Sequence, residues 1–199
     1  VPSVAYAQAT DAPAASQAAP QQAEVTIRTE VVTGTGSSRV FVGPVSVDLT
    51  FRPILRDPIT GDPFINEVNK TVTCGDLVAG TDVVIFNCLL RKNIKYKAAT
   101  ALQTVEITGP GIENGIVGDV SYATVWIPLA GAADVTGARP GDTVHLESFT
   151  VNQSLNVSNC IIPVGTKLNV GCNTLLEKDD VLLAFKTTRI QQVTLTTDP

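Results

Sequence analysis

From Asp82 to Lys97 hydrophobic and polar positions alternate, so that Val84, Phe86, Cys88, Leu90, Ile94 and Tyr96 share one face, the pattern of a half-buried strand. The opposite face begins apolar with Val83 and Ile85, then passes through Asn87 and Leu89 to Arg91, Asn93, Lys95 and Lys97. The strand is therefore predicted to start in a covered layer and end in water, and its length predicts a bend or bulge near Arg91 to Asn93. Before it, Glu24 to Thr33 places Val25, Ile27 and Val31 on one face against Glu24, Arg28 and Glu30, and Gly34-Thr35-Gly36-Ser37-Ser38 reads as its end. Val40 to Phe51 repeats the alternation, with Phe41, Val45, Val47, Leu49 and Phe51 inward and Pro44 at an edge or bulge. Pro53 to Pro63 is expected to be a proline-rich loop, and Val68 to Thr73 leads into the central strand.

Beyond Lys97, Leu102 to Thr108 forms a short strand broken by Gly109-Pro110-Gly111, and Ile116 to Leu129 a long one that carries Trp126. Ala130 to Asp142 reads as a small-residue connection. Thr143 to Val157 is extended again, but its apolar face switches from Val144 and Leu146 to Phe149, Val151, Leu155 and Val157, which a bulge near Glu147 explains. Cys160 to Cys172 and Val181 to Leu195 close the chain. No long stretch follows a period of 3.6, and strands punctuated by Gly and Pro predict an all-β fold, an antiparallel β-sandwich of jelly-roll or Greek-key type.

Composition divides the chain in two. Residues 1–23 are almost entirely Ala, Pro, Gln and Ser with Asp11 as the one charge, a segment unable to build its own core. Ala5-Tyr6-Ala7 has the small-x-small form of a leader cleavage site, and the other reading is a mature extension used in assembly. A sequence without methionine, even at position 1, is expected to start after removal of a leader. Residues 24–199 are predicted to form the single β-sandwich domain. A formal net charge of -5 argues against nucleic acid or an anionic membrane surface as partner. No apolar run is long enough to span a bilayer as a helix.

Cys74, Cys88, Cys160 and Cys172 fall in two local pairs, for which three connectivities exist. The preferred pairing joins Cys74 to Cys88 and Cys160 to Cys172, since each bond would staple neighbouring strands and stabilise by roughly 3 kcal/mol through loop closure. The alternative is that Cys88, on the apolar face, is a buried thiol. Disulfides would place the protein outside the cell. A zinc site is disfavoured because no CxxC spacing exists and the sole histidine, His145, is remote from such a pattern.

Catalytic chemistry has little to draw on. His145 and Glu147 alternate on one expected solvent face, where a solvated pair is the commoner outcome than an acid–base couple. Asp57 and Asp62 flank a turn but lack the alternating oxygen ligands of a calcium loop. Asn69-Lys70-Thr71, Asn152-Gln153-Ser154 and Asn156-Val157-Ser158 match the glycosylation sequon. No cofactor, metal or small-molecule substrate is expected, and no enzymatic activity.

Val84 to Tyr96, VIFNCLLRKNIKY, followed by Val125-Trp126-Ile127-Pro128 and by Gly137-Ala138-Arg139-Pro140-Gly141-Asp142, resembles the SPOCS domain of Firmicute spore-coat proteins. The resemblance covers about residues 70–195. It departs from the family where a glycine of the first strand is replaced near Asn87 and Cys88, and where Leu129 stands in place of phenylalanine. It implies a non-enzymatic module of spore or cell-surface layers that works by assembly with other proteins. The leading expectation is a homo-oligomeric structural subunit of an extracellular filament, pilus-like appendage or coat. Its N-terminal extension would join subunits by β-strand addition, with Val25, Ile27 and Val31 filling a neighbour's groove. The alternative is a monomeric surface module that binds carbohydrate or another polymer, which would need exposed aromatic side chains.

Overall fold

The protein is described here by a computed structural model for residues 24–57, 60–105, 115–161 and 170–196. The extension at residues 1–23 lies outside the described residues. Among the described residues there are seven strands, β1 (Glu24–Asp48), β2 (Ile54–Arg56), β3 (Ile65–Ala79), β4 (Val83–Val105), β5 (Gly115–Asp134), β6 (Thr143–Ile161) and β7 (Val170–Thr196), and no helix. Residues 31–189 form one compact unit; a second consists of the first part of β1, residues 24–30, with the last part of β7, residues 190–196. Within this second unit the hydroxyls of Thr26 and Thr194 meet at 3.5 Å.

The all-β, antiparallel expectation holds, but the sheet is not clearly a sandwich or a jelly roll. Its order is β1-β5-β4-β2-β7-β6, and additional pairing of β1 with β7 closes β1, β5, β4, β2 and β7 into a five-stranded barrel. β3 adds to the side of β4 and β6 to the side of β7. The difference has a local cause: positions that read as breaks in the chain are passed through in extended conformation, so strands are long enough to curl and close. Gly34 to Ser38 is the plainest case, since β1 runs through it without interruption. A Cβ on Gly36 would stand 1.9 Å from the carbonyl oxygen of Asp134, and one on Gly34 2.5 Å from that of Thr136. Those glycines let two backbones approach where β1 meets β5, at Ser37 opposite Asp134.

Four other expectations are corrected. Ile54–Arg56, inside the expected proline-rich loop, is a strand that bridges β4 and β7. Leu102–Val105 belongs to the end of β4 rather than to a separate strand, and Ala130–Asp134 prolongs β5. No bulge occurs near Arg91 to Asn93: Arg91, Lys92 and Asn93 pair in unbroken register with Trp126, Val125 and Thr124 on β5. The irregularities of β4's ladders lie elsewhere, against β3 between Ile65 and Glu67 and between Cys74 and Leu77, and against β5 between Ala98 and Gln103. The bulge expected near Glu147 is present, as a register shift between Leu146 and Ser148.

Because β4 keeps its period of two, Val84, Phe86, Cys88, Leu90, Lys92, Ile94, Tyr96 and Ala98 all face the interior and are buried. Leu175, Glu177, Asp179, Val181, Leu183 and Phe185 do the same from β7. Two apolar clusters result. One gathers Val84, Phe86, Leu90, Leu129, Leu183 and Phe185, with the rings of Phe86 and Phe185 stacked at 5.0 Å; the other gathers Leu49, Ile54, Ile94, Tyr96 and Leu175. Lys92, between Leu90 and Ile94, and Glu177 with Asp179, between Leu175 and Val181, fall at the boundary of the two.

Candidate functional site

Cys74 is bonded to Cys88, its direct cross-strand neighbour on β4, and Cys160 to Cys172, its neighbour on β7. The two bonds fasten β3 and β6, the strands added to the barrel, to the strands that carry them. β3 and β6 lie side by side without a ladder between them; the Lys70 ammonium donates to the carbonyl of Val151 across the gap at 3.1 Å. Each therefore keeps one edge that pairs with no strand among the described residues.

The outer face of β3, β4 and β5 is where the structure departs most from the expected covered layer. Val78 pairs with Ile85, which pairs with Ala132; further along, Leu89 pairs with Pro128 and Arg91 with Trp126. All of these are exposed, Ile85 at 56%, Leu89 at 42% and Trp126 at 58%. Nothing in the chain covers this apolar stretch among the described residues. Beyond Trp126 the face becomes polar: Asn69, Thr71, Arg91, Asn93 and Tyr122 line a shallow depression, and the Lys95 ammonium lies 6.0 Å from the Tyr122 ring.

Inside the barrel the Lys92 ammonium donates to Glu177 Oε2 at 2.9 Å and to both oxygens of Asp179, at 2.9 and 3.2 Å. All three side chains are fully removed from solvent. Glu177 Oε1 is buried without a hydrogen-bond partner. Nearby, burial holds the Lys70 ammonium below its ordinary range, and the Lys92 charge adds to the effect, against the pull of Asp179 and Glu177.

A second polar cluster closes the turn that follows β5. Asp142 Oδ2 accepts from the Thr33 hydroxyl and the Arg139 backbone N–H, both at 3.0 Å, and Oδ1 accepts from Arg189 Nε. Burial pushes this carboxyl up, but the hydrogen bonds from Arg189, Thr33 and Arg139, with the Arg189 charge, hold it below the usual carboxylate range. Asp180 is held down chiefly by its paired hydrogen bonds from Arg39, against burial. A carboxyl depressed in the folded state contributes stability above its unfolded pKa, about 3.9, and loses it as pH falls through the lower folded value. The melting temperature is therefore expected to be level near neutrality and to fall below about pH 4. Asp142→Asn should melt lower at neutral pH and show a shallower acid decline in thermal scans.

The other residues singled out by sequence are dispersed. His145 and Glu147 are exposed on β6; His145 Nε2 lies 3.2 Å from the Thr188 hydroxyl, and Glu147 pairs with Lys186 at 3.1 Å. Asp57 and Asp62 close a turn in which the Asp57 N–H donates to the Asp62 carbonyl and the Gly61 N–H to that of Asp57. Ile27 is exposed and Val31 half-buried on β1, and the side chain of Val25 lies outside the description. No group of three or more metal-ligating side chains gathers among the described residues. Lys92, Glu177 and Asp179 were missed by sequence reasoning, although each stands at the apolar phase of its strand, where a charge is anomalous. No family model, curated protein or solved structure matches the chain.

Proposed function

We propose that this protein is a non-catalytic structural subunit that assembles with copies of itself outside the cell, in a filament, pilus-like appendage or surface layer. The exposed apolar side chains of Val78 and Ile85 and, beyond Asn87, of Leu89, Pro128 and Trp126 carry the reading, because clustered exposed apolar surface marks a protein interaction site. β3 and β6 lie side by side without a ladder between them, so a neighbour's extended segment would have to enter between their unpaired edges to add main-chain hydrogen bonds. Residues 1–23, with the row begun by Val25, Ile27 and Val31, supply a segment of suitable chemistry. The two disulfides are compatible with an oxidising, extracellular setting. The resemblance to spore-coat domains points to the same class of role.

A chain starting at Glu24 tests the coupling segment. It is expected to fold and stay soluble while losing assembly in sedimentation velocity, and full-size assemblies from it would remove the extension from the account. One observation favours the second reading, a surface module for carbohydrate: Trp126 and Tyr122 are exposed beside the polar depression lined by Asn69, Arg91 and Asn93. Co-sedimentation with insoluble polysaccharides, abolished by Trp126→Ala with assembly intact, would favour that module over the subunit.

A further inference from the structure

Lys92, Glu177 and Asp179 stand apart from the other ion pairs. The Lys186–Glu147 pair is partly exposed on both sides, so water can solvate either charge, and the pairs of Arg39 and Arg189 offer a guanidinium in place of an amine. Lys92 is the one primary amine among these pairs that is sealed with a carboxyl group inside a hydrophobic interior. Its Nζ is within hydrogen-bond reach of both oxygens of Asp179, and so in contact with that carboxyl group. A second carboxyl group, Glu177, touches the same nitrogen through Oε2 and keeps Oε1 unpartnered.

We propose that Lys92 and Asp179 become joined by an intramolecular amide bond, with Glu177 carrying the protons. The reactive forms are a neutral amine and a neutral carboxylic acid. Proton transfer along the 2.9 Å hydrogen bonds turns a buried ion pair into that neutral pair, which the apolar surroundings accommodate with less desolvation cost. The lone pair of Nζ attacks Asp179 Cγ and forms the N–C bond; Glu177 takes a proton from the nitrogen and returns it to the departing oxygen. The Cγ–O bond breaks and one water leaves. No oxidant, metal or activated donor is needed, and holding the two groups in contact replaces an otherwise bimolecular encounter.

Charge balance is kept on both sides of the step. Before it, Lys92 and Lys70 face Glu177 and Asp179; after it, Lys70 and Glu177 remain, and the interior has lost one ion of each sign. The bond would tie β4 to β7 at the boundary of the two apolar clusters, 87 positions apart in sequence. That connection spans the barrel interior, which neither disulfide does.

Mass spectrometry of the full chain, denatured and reduced, tests the bond directly. The expected result is an intact mass one water below that of the sequence, and a branched proteolytic fragment joining the Lys92 and Asp179 segments. The fragment distinguishes the cross-link from a dehydrated aspartate, which shortens the mass without branching. Lys92→Arg and Asp179→Ala should restore the full mass. Glu177→Gln, nearly isosteric, should leave the chain folded while slowing cross-link formation by about a hundredfold or more. A full sequence mass in the folded wild-type chain, or water loss without a branch, would overturn the proposal whether or not any variant folds. A branch ending at Glu177 would overturn the assignment of Asp179 as acceptor, and unchanged cross-linking in Glu177→Gln would overturn the role of Glu177.

Discussion

Lys92→Met is expected to lower the stability of the barrel by about 3–5 kcal/mol through the broken ion cluster alone, before any loss of a cross-link is counted. The cause is what remains: Glu177 and Asp179 would both stay buried, with no cation at 2.9 Å to offset their desolvation. Chemical denaturation at neutral pH measures it. Replacing all three residues together by apolar side chains of similar volume should recover much of the loss, because an ion cluster exchanged for packed hydrocarbon is often neutral or better. The recovery also separates charge from cross-linking. An amide between Lys92 and Asp179 closes a long loop, worth roughly 4–5 kcal/mol in the chain-entropy model, and the triple variant cannot restore that part. A triple variant as stable as the wild type would show that the site contributes electrostatics alone.

Removal of the disulfides is expected to have the next largest effect. Cys74–Cys88 and Cys160–Cys172 close loops with sequence separations of 14 and 12, and loops of that size confer roughly 3 kcal/mol each. In a protein of this size such a loss lowers the melting temperature by about 6–12 °C per bond. Cys74→Ala with Cys88→Ala, and the matching pair at Cys160 and Cys172, allow the two to be compared by thermal scanning. The loosening should be local as well as global, because each bond fastens β3 or β6, and amide exchange along that strand should rise before the barrel opens. Melting temperatures unchanged by either double variant would remove the stapling role.

Side-chain alternation was legible on β4 but misread in β1, where Phe41 and Phe51, expected inward, are exposed and Val40 and Val42 pack against the core; the long-range closure was not legible. Val84 to Tyr96 announces both the strand and its buried face, and the change of apolar phase at Glu147 announces the bulge found between Leu146 and Ser148. Gly34 to Ser38 misleads because a glycine that ends a strand and one that lets two strands approach look alike without the partner; the carbonyl of Asp134 decides, and it is distant in sequence. The closure of the barrel depends in the same way on the pairing of β1 with both β5 and β7. Lys92 carried a readable signal that was lost by placing a bulge beside it, for unbroken alternation from Val84 to Tyr96 puts the ammonium inside. Glu177 and Asp179 share the phase of Leu175, Val181 and Leu183, but residues 173–180 were not read as strand, so their interior position emerged only with the continuous β7 and their meeting with Lys92 only with the fold. The uncovered outer face could not have been read, since Val83, Ile85 and Leu89 present the same pattern whether their cover comes from the same chain or from another.

The subunit account stands most directly on the state of the oxidised, full-length chain. Negative-stain electron microscopy of that material, at rising protein concentration, is expected to show regular fibres or sheets with one repeating unit, and glutamate at Leu89 and Trp126 should disperse them while the barrel stays folded. Single dispersed particles of the full-length chain at every concentration, with both disulfides formed and the extension intact, would contradict it.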